Sequence, residues 1–140
     1  MAATVTLTVA GLVEFSRALD GLDRSLPKAL RLALNTSADV VIGKAQPRVP
    51  TLTGRAARSM RPRSTRNAVR ITAGGDDAPH YPWLDFGGHV GHHGTAARAF
   101  LKEGRYLYPS YYELRRSGEF DKVLERELRK VAAQAGLAVS

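Results

Sequence analysis

The 140-residue chain reads as a single α+β domain, and three patterns carry that reading. Residues 4–9 alternate strictly, with Val5, Leu7 and Val9 on one side and threonines on the other, which marks a half-buried strand. From Gly11 the period becomes helical: Leu12, Phe15, Leu19, Leu22 and Leu26 recur at spacings of 3, 4, 3 and 4. Over residues 119–135, Phe120, Val123, Leu124, Leu128, Val131 and Ala135 form one helical stripe. A small antiparallel sheet with a long loop is expected between the N-terminal strand and helices and the C-terminal helix.

Each remaining element has its own local reason. Pro27 suits the first turn of a second helix, where a missing N–H sacrifices no hydrogen bond, with Asp23 or Ser25 as cap. That helix runs to about Ala45, burying Leu30, Ala33, Leu34, Val41 and Ile42, until Pro47 and Pro50 stop it. Residues 57–64 read as a weak strand interrupted at Pro62, hence an edge. Residues 68–73 alternate better, Val69, Ile71 and Ala73 opposing Arg70 and Thr72. Gly74-Gly75-Asp76-Asp77 is a turn; calcium would need a ladder of ligands downstream. Residues 81–86 are expected as a third strand, with Pro82 near its start. Residues 87–105, rich in glycine and histidine, read as a long loop, and such loops in small domains are functional or mobile. Residues 106–116 turn helical after an aromatic start, with Pro109 at a first-helical position, and Ser117-Gly118 breaks that helix. In the last helix Glu125 and Arg129 stand at i,i+4, and Gly136 suits its stop.

Composition excludes several classes. Without cysteine there are no disulfides, cysteine-zinc sites or thiol redox chemistry. No apolar run approaches the roughly 18 residues of a membrane span. The stretch from Met1 lacks the basic start and apolar block of a signal peptide, so folding in a cytoplasm is expected, and Asn35-Thr36-Ser37 is a chance glycosylation match. Apolar stretches rich in alanine make a thin core that oligomerisation would reinforce.

The charge is concentrated. Residues 44–70 carry eight basic side chains (Lys44, Arg48, Arg55, Arg58, Arg61, Arg63, Arg66 and Arg70) and no acid. Before this segment four bases balance four acids, and after it nine balance nine, so the net +8 sits here. Clustered arginines bind phosphates bidentately, with affinity that falls steeply with salt. Aromatic stacking residues are missing from the segment, which weakens a single-strand or RNA-binding reading. The positions 55, 58, 61, 63 and 66 keep no common period, so they cannot all line one face.

Catalytic patterns are thin. His89, His92 and His93, with His80 and Asp85 upstream, could ligate zinc or nickel, but Gly88, Gly91 and Gly94 leave little to hold the imidazoles. Asp85-Phe86-Gly87 spells the kinase magnesium triplet without the other kinase motifs, and neither Ser59 nor Ser110 sits in a G-x-S-x-G elbow. No enzyme, cofactor or metal site is expected. Tyr106, Tyr108, Tyr111 and Tyr112, with Phe100 and Trp83, form an aromatic cluster that reads as core or as an interface.

Ala45-x-Pro47-x-x-Pro50-Thr51-x-Thr53-Gly54-Arg55-x-x-x-Ser59 follows a helix, and Tyr81-Pro82-Trp83-Leu84-Asp85-Phe86-Gly87-Gly88 comes about twenty residues later. Together they resemble, in order, the "A-x-x-P-V-x-T-G-x-L-x-x-S" and "Y-A-x-x-x-E-F-G-T" elements of the tail-completion (head–tail joining) proteins of long-tailed bacteriophages. Ala99-Phe100-Leu101 and Leu107-Tyr108-Pro109-Ser110 both resemble that family's "P-F-L-x-P-A" element, the second fitting better because it directly precedes a helix. Ala56-Ala57 stands where leucine is usual, and Asp85 where the family has glutamate. The resemblance covers roughly residues 12–135. It implies a structural virion protein, assembled in the host cytoplasm and forming a homo-oligomeric ring, as a hexamer, in the neck between head and tail. Its neighbours would be a head-completion or connector protein and a tail terminator, with genomic double-stranded DNA passing through the lumen. The basic segment and residues 87–105, including His89, His92 and His93, are expected to contact other subunits. Most arginines would meet acidic patches there, and the few facing inward would meet DNA. The alternatives are a small basic DNA-binding protein and a metal-dependent enzyme built on the histidine loop.

Overall fold

A 20-residue helix, α2 (Leu26–Ala45), organises the fold. The computed structural model describes residues 2–7, 9–20, 22, 24–50, 54–76, 78–90 and 96–136. The wide buried face of α2 includes Leu30, Ala33, Leu34, Val41 and Ile42, as its periodicity predicts. It meets both a three-stranded antiparallel sheet and the C-terminal helix pair α5 (Leu107–Ser117) and α6 (Glu119–Gln134). The sheet has the order β1 (Ala2–Leu7), β3 (Val69–Gly74), β2 (Arg61–Pro62). Val5 and Leu7 of β1 and Val69, Ile71 and Ala73 of β3 are buried on the inner face, and Thr4 and Thr6 point outward. The buried side chains join in one cluster. Among the described residues no helix is long and apolar enough to cross a membrane.

The N-terminal periodicity runs past a real break. Helix α1 (Leu12–Leu19) ends where Asp20 turns extended (φ −62°, ψ 131°). Leu22 is therefore 53% exposed, and Leu26 opens α2 instead of closing α1. Ser25 occupies the N-cap position but makes no side-chain cap hydrogen bond, and Pro27 lies in the first turn, as expected; Asp23 lies outside the described residues. The proline stop takes the form of one 3₁₀ turn, Gln46–Arg48.

Three middle elements depart from the sequence reading. Part of the expected strand over 57–64 is a short helix, α3 (Arg55–Arg58), leaving only Arg61–Pro62 as the edge strand. Gly54 at φ +74° starts that turn, a conformation that side chains with a Cβ rarely adopt, and the Arg58 guanidinium folds back over the bare Cα. Ser59 closes the turn by donating its hydroxyl to the Ala56 carbonyl at 2.6 Å. The same oxygen accepts the Gly74 N–H at 2.9 Å, joining α3 to the end of β3. Residues 81–86 form helix α4 (Tyr81–Phe86), not a third strand. Pro82 sits in its first turn, and the i,i+4 spacing puts Tyr81 and Asp85 together on its buried side. Residues 87–105 are not a plain loop either, for β4 (Gly88–Val90) and β5 (Ala96–Arg98) pair antiparallel as a hairpin arm. Residues 91–95, with His92 and His93, lie outside the described residues, as do Thr53 and Asp77.

Candidate assembly interface

The base of the hairpin arm is built around Asp85, whose carboxylate is only 1% exposed. Oδ1 accepts the backbone N–H groups of Arg105 at 2.6 Å and Tyr106 at 3.0 Å, and Oδ2 accepts the Tyr81 hydroxyl at 2.6 Å. Tyr106 is the N-cap of α5, so the end of α4 supplies the negative charge that the start of α5 favours. Burial pushes the Tyr81 hydroxyl far up its scale, with the Asp85 charge and hydrogen bond adding to it, so Tyr81 stays a donor. The Arg105 guanidinium then clamps both ends of the arm, donating to the Asp85 carbonyl at 2.9 Å and to the Ala99 carbonyl.

Further contacts orient the arm. The Trp83 indole donates to the Gly88 carbonyl at 3.1 Å, and the Leu101 N–H donates to the Phe86 carbonyl at 2.8 Å. Arg98 lies 5.6 Å from the Trp83 ring centre and donates to the Tyr106 hydroxyl at 3.1 Å. Gly87 sits at φ +89°, ψ −163°, a region essentially reserved for glycine, and a Cβ there would overlap the Ala99 carbonyl. The Gly87 of the motif thus sets the direction in which the arm leaves the body.

Beside the arm large apolar and aromatic side chains stand exposed next to Lys102 and Glu103, with the Tyr112 hydroxyl donating to Glu103 at 2.9 Å. Phe100 is 70% exposed, Leu101 45% and Tyr112 39%. The aromatic cluster therefore divides: Tyr106 and Tyr111 are buried, Tyr111 edge-on to Phe120 at 5.1 Å, and Phe100 and Tyr112 face out. Pro109, expected at the first helical position, is the third residue of α5, which begins two residues earlier at Leu107.

The basic segment does not act as one patch. Lys44 and Arg48 both bridge to Glu113 of α5, and the Arg48 hydrogen bond holds that carboxyl below its ordinary range. Arg66 pairs with Asp20 at 2.7 Å. Charge balance inside the subunit is thus better than the sequence count implies. Arg55, Arg58 and Arg61 line an open groove of about 700 Å³ with Gln46 and Asp76. Arg24, Lys28, Arg31 and Arg66 line a second of about 490 Å³.

Strand pairing gathers three other arginines. Arg61 faces Thr72 across the β2–β3 ladder, and the Arg63 N–H donates to the Arg70 carbonyl at 2.8 Å, extending the same register. Arg70 in turn opposes Thr6, and Thr72 opposes Thr4. Arg61, Arg63 and Arg70 therefore share the outer face of the sheet with these threonines. The inner side of the same hairpin is fixed by Ser64, whose N–H donates to Asn35 Oδ1 of α2 at 2.9 Å and whose hydroxyl accepts the Arg70 N–H at 3.1 Å.

For metal chemistry the described residues offer no group of three or more histidine or carboxylate side chains placed to hold an ion. His80 is exposed at the start of α4, and His89 lies on β4. Comparison of the chain with protein-family models, with curated proteins and with solved structures yields no match.

Sequence reasoning missed the clamp made by Arg98 and Arg105, because their partners are carbonyls and aromatic rings brought together only by the fold. It counted Arg24, Lys28 and Arg31 only as charges balanced by nearby acids in the sequence, whereas Arg24, just before the Ser25 cap of α2, and Lys28 and Arg31 on α2 line one groove with Arg66.

Proposed function

We propose that this chain is a structural subunit of a bacteriophage neck, forming a homo-oligomeric ring that joins the DNA-filled head to the tail. The observation that carries the reading is the hairpin arm, locked at its base by Asp85, Arg105 and Gly87 and flanked by exposed Phe100 and Leu101. An isolated two-stranded hairpin is marginal in water and gains stability from a surface to lie on. A rigidly aimed arm beside exposed apolar side chains suits insertion against a neighbouring subunit. The motif residues support the same reading. Gly54, Ser59, Tyr81, Asp85 and Gly87 shape turns and tie elements together, the work of a scaffold rather than of a catalytic site. Assembly is then the mechanism, with each subunit covering its neighbour's exposed edges, between a head-completion or connector ring and a tail terminator.

Sedimentation velocity and negative-stain microscopy of the purified protein test this. The expected result is a closed ring, with Phe100→Asp shifting the population toward monomer while leaving the circular dichroism spectrum unchanged. A chain that stays monomeric at high concentration, and whose sedimentation is indifferent to Phe100→Asp, would overturn the reading.

A further inference from the structure

The outer face of the β1–β3–β2 sheet carries a feature that internal packing does not call for. Arg63 and Arg70 stand directly opposite one another across the β2–β3 ladder, with Arg61 two residues along on the same side. Like charges in directly opposed positions destabilise a strand pair. Among the described residues none of these three guanidinium groups has a carboxylate partner. Thr4, Thr6 and Thr72 complete the face and bring hydroxyl donors beside the arginines.

We propose that this sheet face binds double-stranded DNA through its phosphates, independently of base sequence. The surface chemistry selects that partner over a protein. A protein interface needs an apolar core, and the large exposed apolar side chains (Val13, Leu22, Leu32, Phe100, Leu101 and Tyr112) all lie off this face. An arginine and threonine surface without aromatic rings matches phosphate oxygens and offers no platform for unstacked bases. The flanking grooves extend the field. Arg55 and Arg58 line one and Arg24, Lys28, Arg31 and Arg66 the other. With the three sheet arginines they make nine cations; among the described residues the carboxylates placed beside them are Asp20, which pairs with Arg66, and Asp76, which lines the first groove. Three phosphate contacts predict a weak grip, one from which DNA can slide and leave.

The inference takes only its setting from the neck reading, as the surface turned toward DNA in the lumen; duplex binding by the purified chain tests it whether or not rings form. The probe is a fluorescein-labelled duplex of arbitrary sequence, followed by anisotropy. Three contacts predict a fall in affinity of roughly 40-fold between about 50 and 200 mM salt. Arg63→Gln/Arg70→Gln should flatten the logarithmic salt slope by about 2 and weaken binding at least about tenfold. Its melting temperature should hold or rise, because the opposed charges are gone. Arg126→Gln/Lys130→Gln on α6, with the same charge change, should leave binding within about twofold. Three results would overturn the proposal. One is no duplex binding by the folded chain at low salt. Another is equal loss of binding in the α6 control. The last is a sheet variant that keeps its DNA affinity but loses self-association, which would make the face a protein interface.

Discussion

A carboxylate that is 1% exposed has to be matched by donors, and Asp85 has three, from Tyr81, Arg105 and Tyr106. Asp85→Ala strands a hydroxyl and two backbone N–H groups, at about 1–3 kcal/mol for each donor left buried and unsatisfied. The expected loss of about 3 kcal/mol or more is a large share of the roughly 5–15 kcal/mol available to a domain. Urea denaturation measures it. Asp85→Asn should be milder, because its amide oxygen can still accept the two N–H groups. Tyr81 adds a dependence on pH. Its folded pKa is raised by burial and then by Asp85, so its contribution is complete below the ordinary phenol value of 10.0 and is lost as pH rises beyond it, where the unfolded chain ionises and the folded one does not. Tyr81→Phe should cost about 1–2 kcal/mol at neutral pH and flatten the alkaline decline in stability. A variant that is weaker at neutral pH but declines as steeply as the parent would show that other groups carry the alkaline response.

At the scale of elements, what the sequence discloses depends on how many residues repeat a pattern. The stripe of α6, the buried face of α2 and the alternation of β3 are periodic over several turns or pleats, and the structure buries Phe120, Leu124 and Val131, Leu30 and Leu34, and Val69 and Ile71 accordingly. Helix α4 has six residues, too few for a period to declare itself. Its helical form depends on donors from Arg105 and Tyr106, about twenty residues on, which no local pattern reveals. The arm was hidden for a similar reason: Gly88–Val90 and Ala96–Arg98 are strands of three residues whose pairing depends on the clamp at their base. Lys44 near the end of α2 and Arg48 in the 3₁₀ turn beyond it converge on Glu113, a partner that emerges only when α5 packs on α2. The clamp gives this scale its prediction. Gly87→Ala should cost about 2–3 kcal/mol, because it combines a glycine-only conformation with overlap on Ala99. Amide exchange should show the loss concentrated in β4 and β5 and absent from β3. Uniformly faster exchange would mean that the arm and the body open as one unit.

Taken whole, the molecule exposes Phe100 and Leu101 beside the arm and gathers cations around the β2 edge. A side chain such as Phe100, 70% exposed, gains nothing from folding alone and much from being covered. The core itself is light, since the described buried set includes eight alanines, Ala33, Ala38, Ala45, Ala56, Ala57, Ala73, Ala78 and Ala132. Subunit stability should therefore be tied to association, because anything that binds the folded chain and not the unfolded one raises its stability by mass action. For a six-membered ring each tenfold rise in protein concentration adds about 1 kcal/mol per subunit. That corresponds to a rise in melting temperature of roughly 3–6 °C for a domain of this size. Differential scanning fluorimetry over two decades of concentration measures it. Phe100→Asp should remove the dependence and leave the melting temperature near the dilute-limit value. A melting temperature independent of concentration in the parent would mean that the subunit's stability comes from its own core, and that Phe100 and Leu101 are reserved for a different partner.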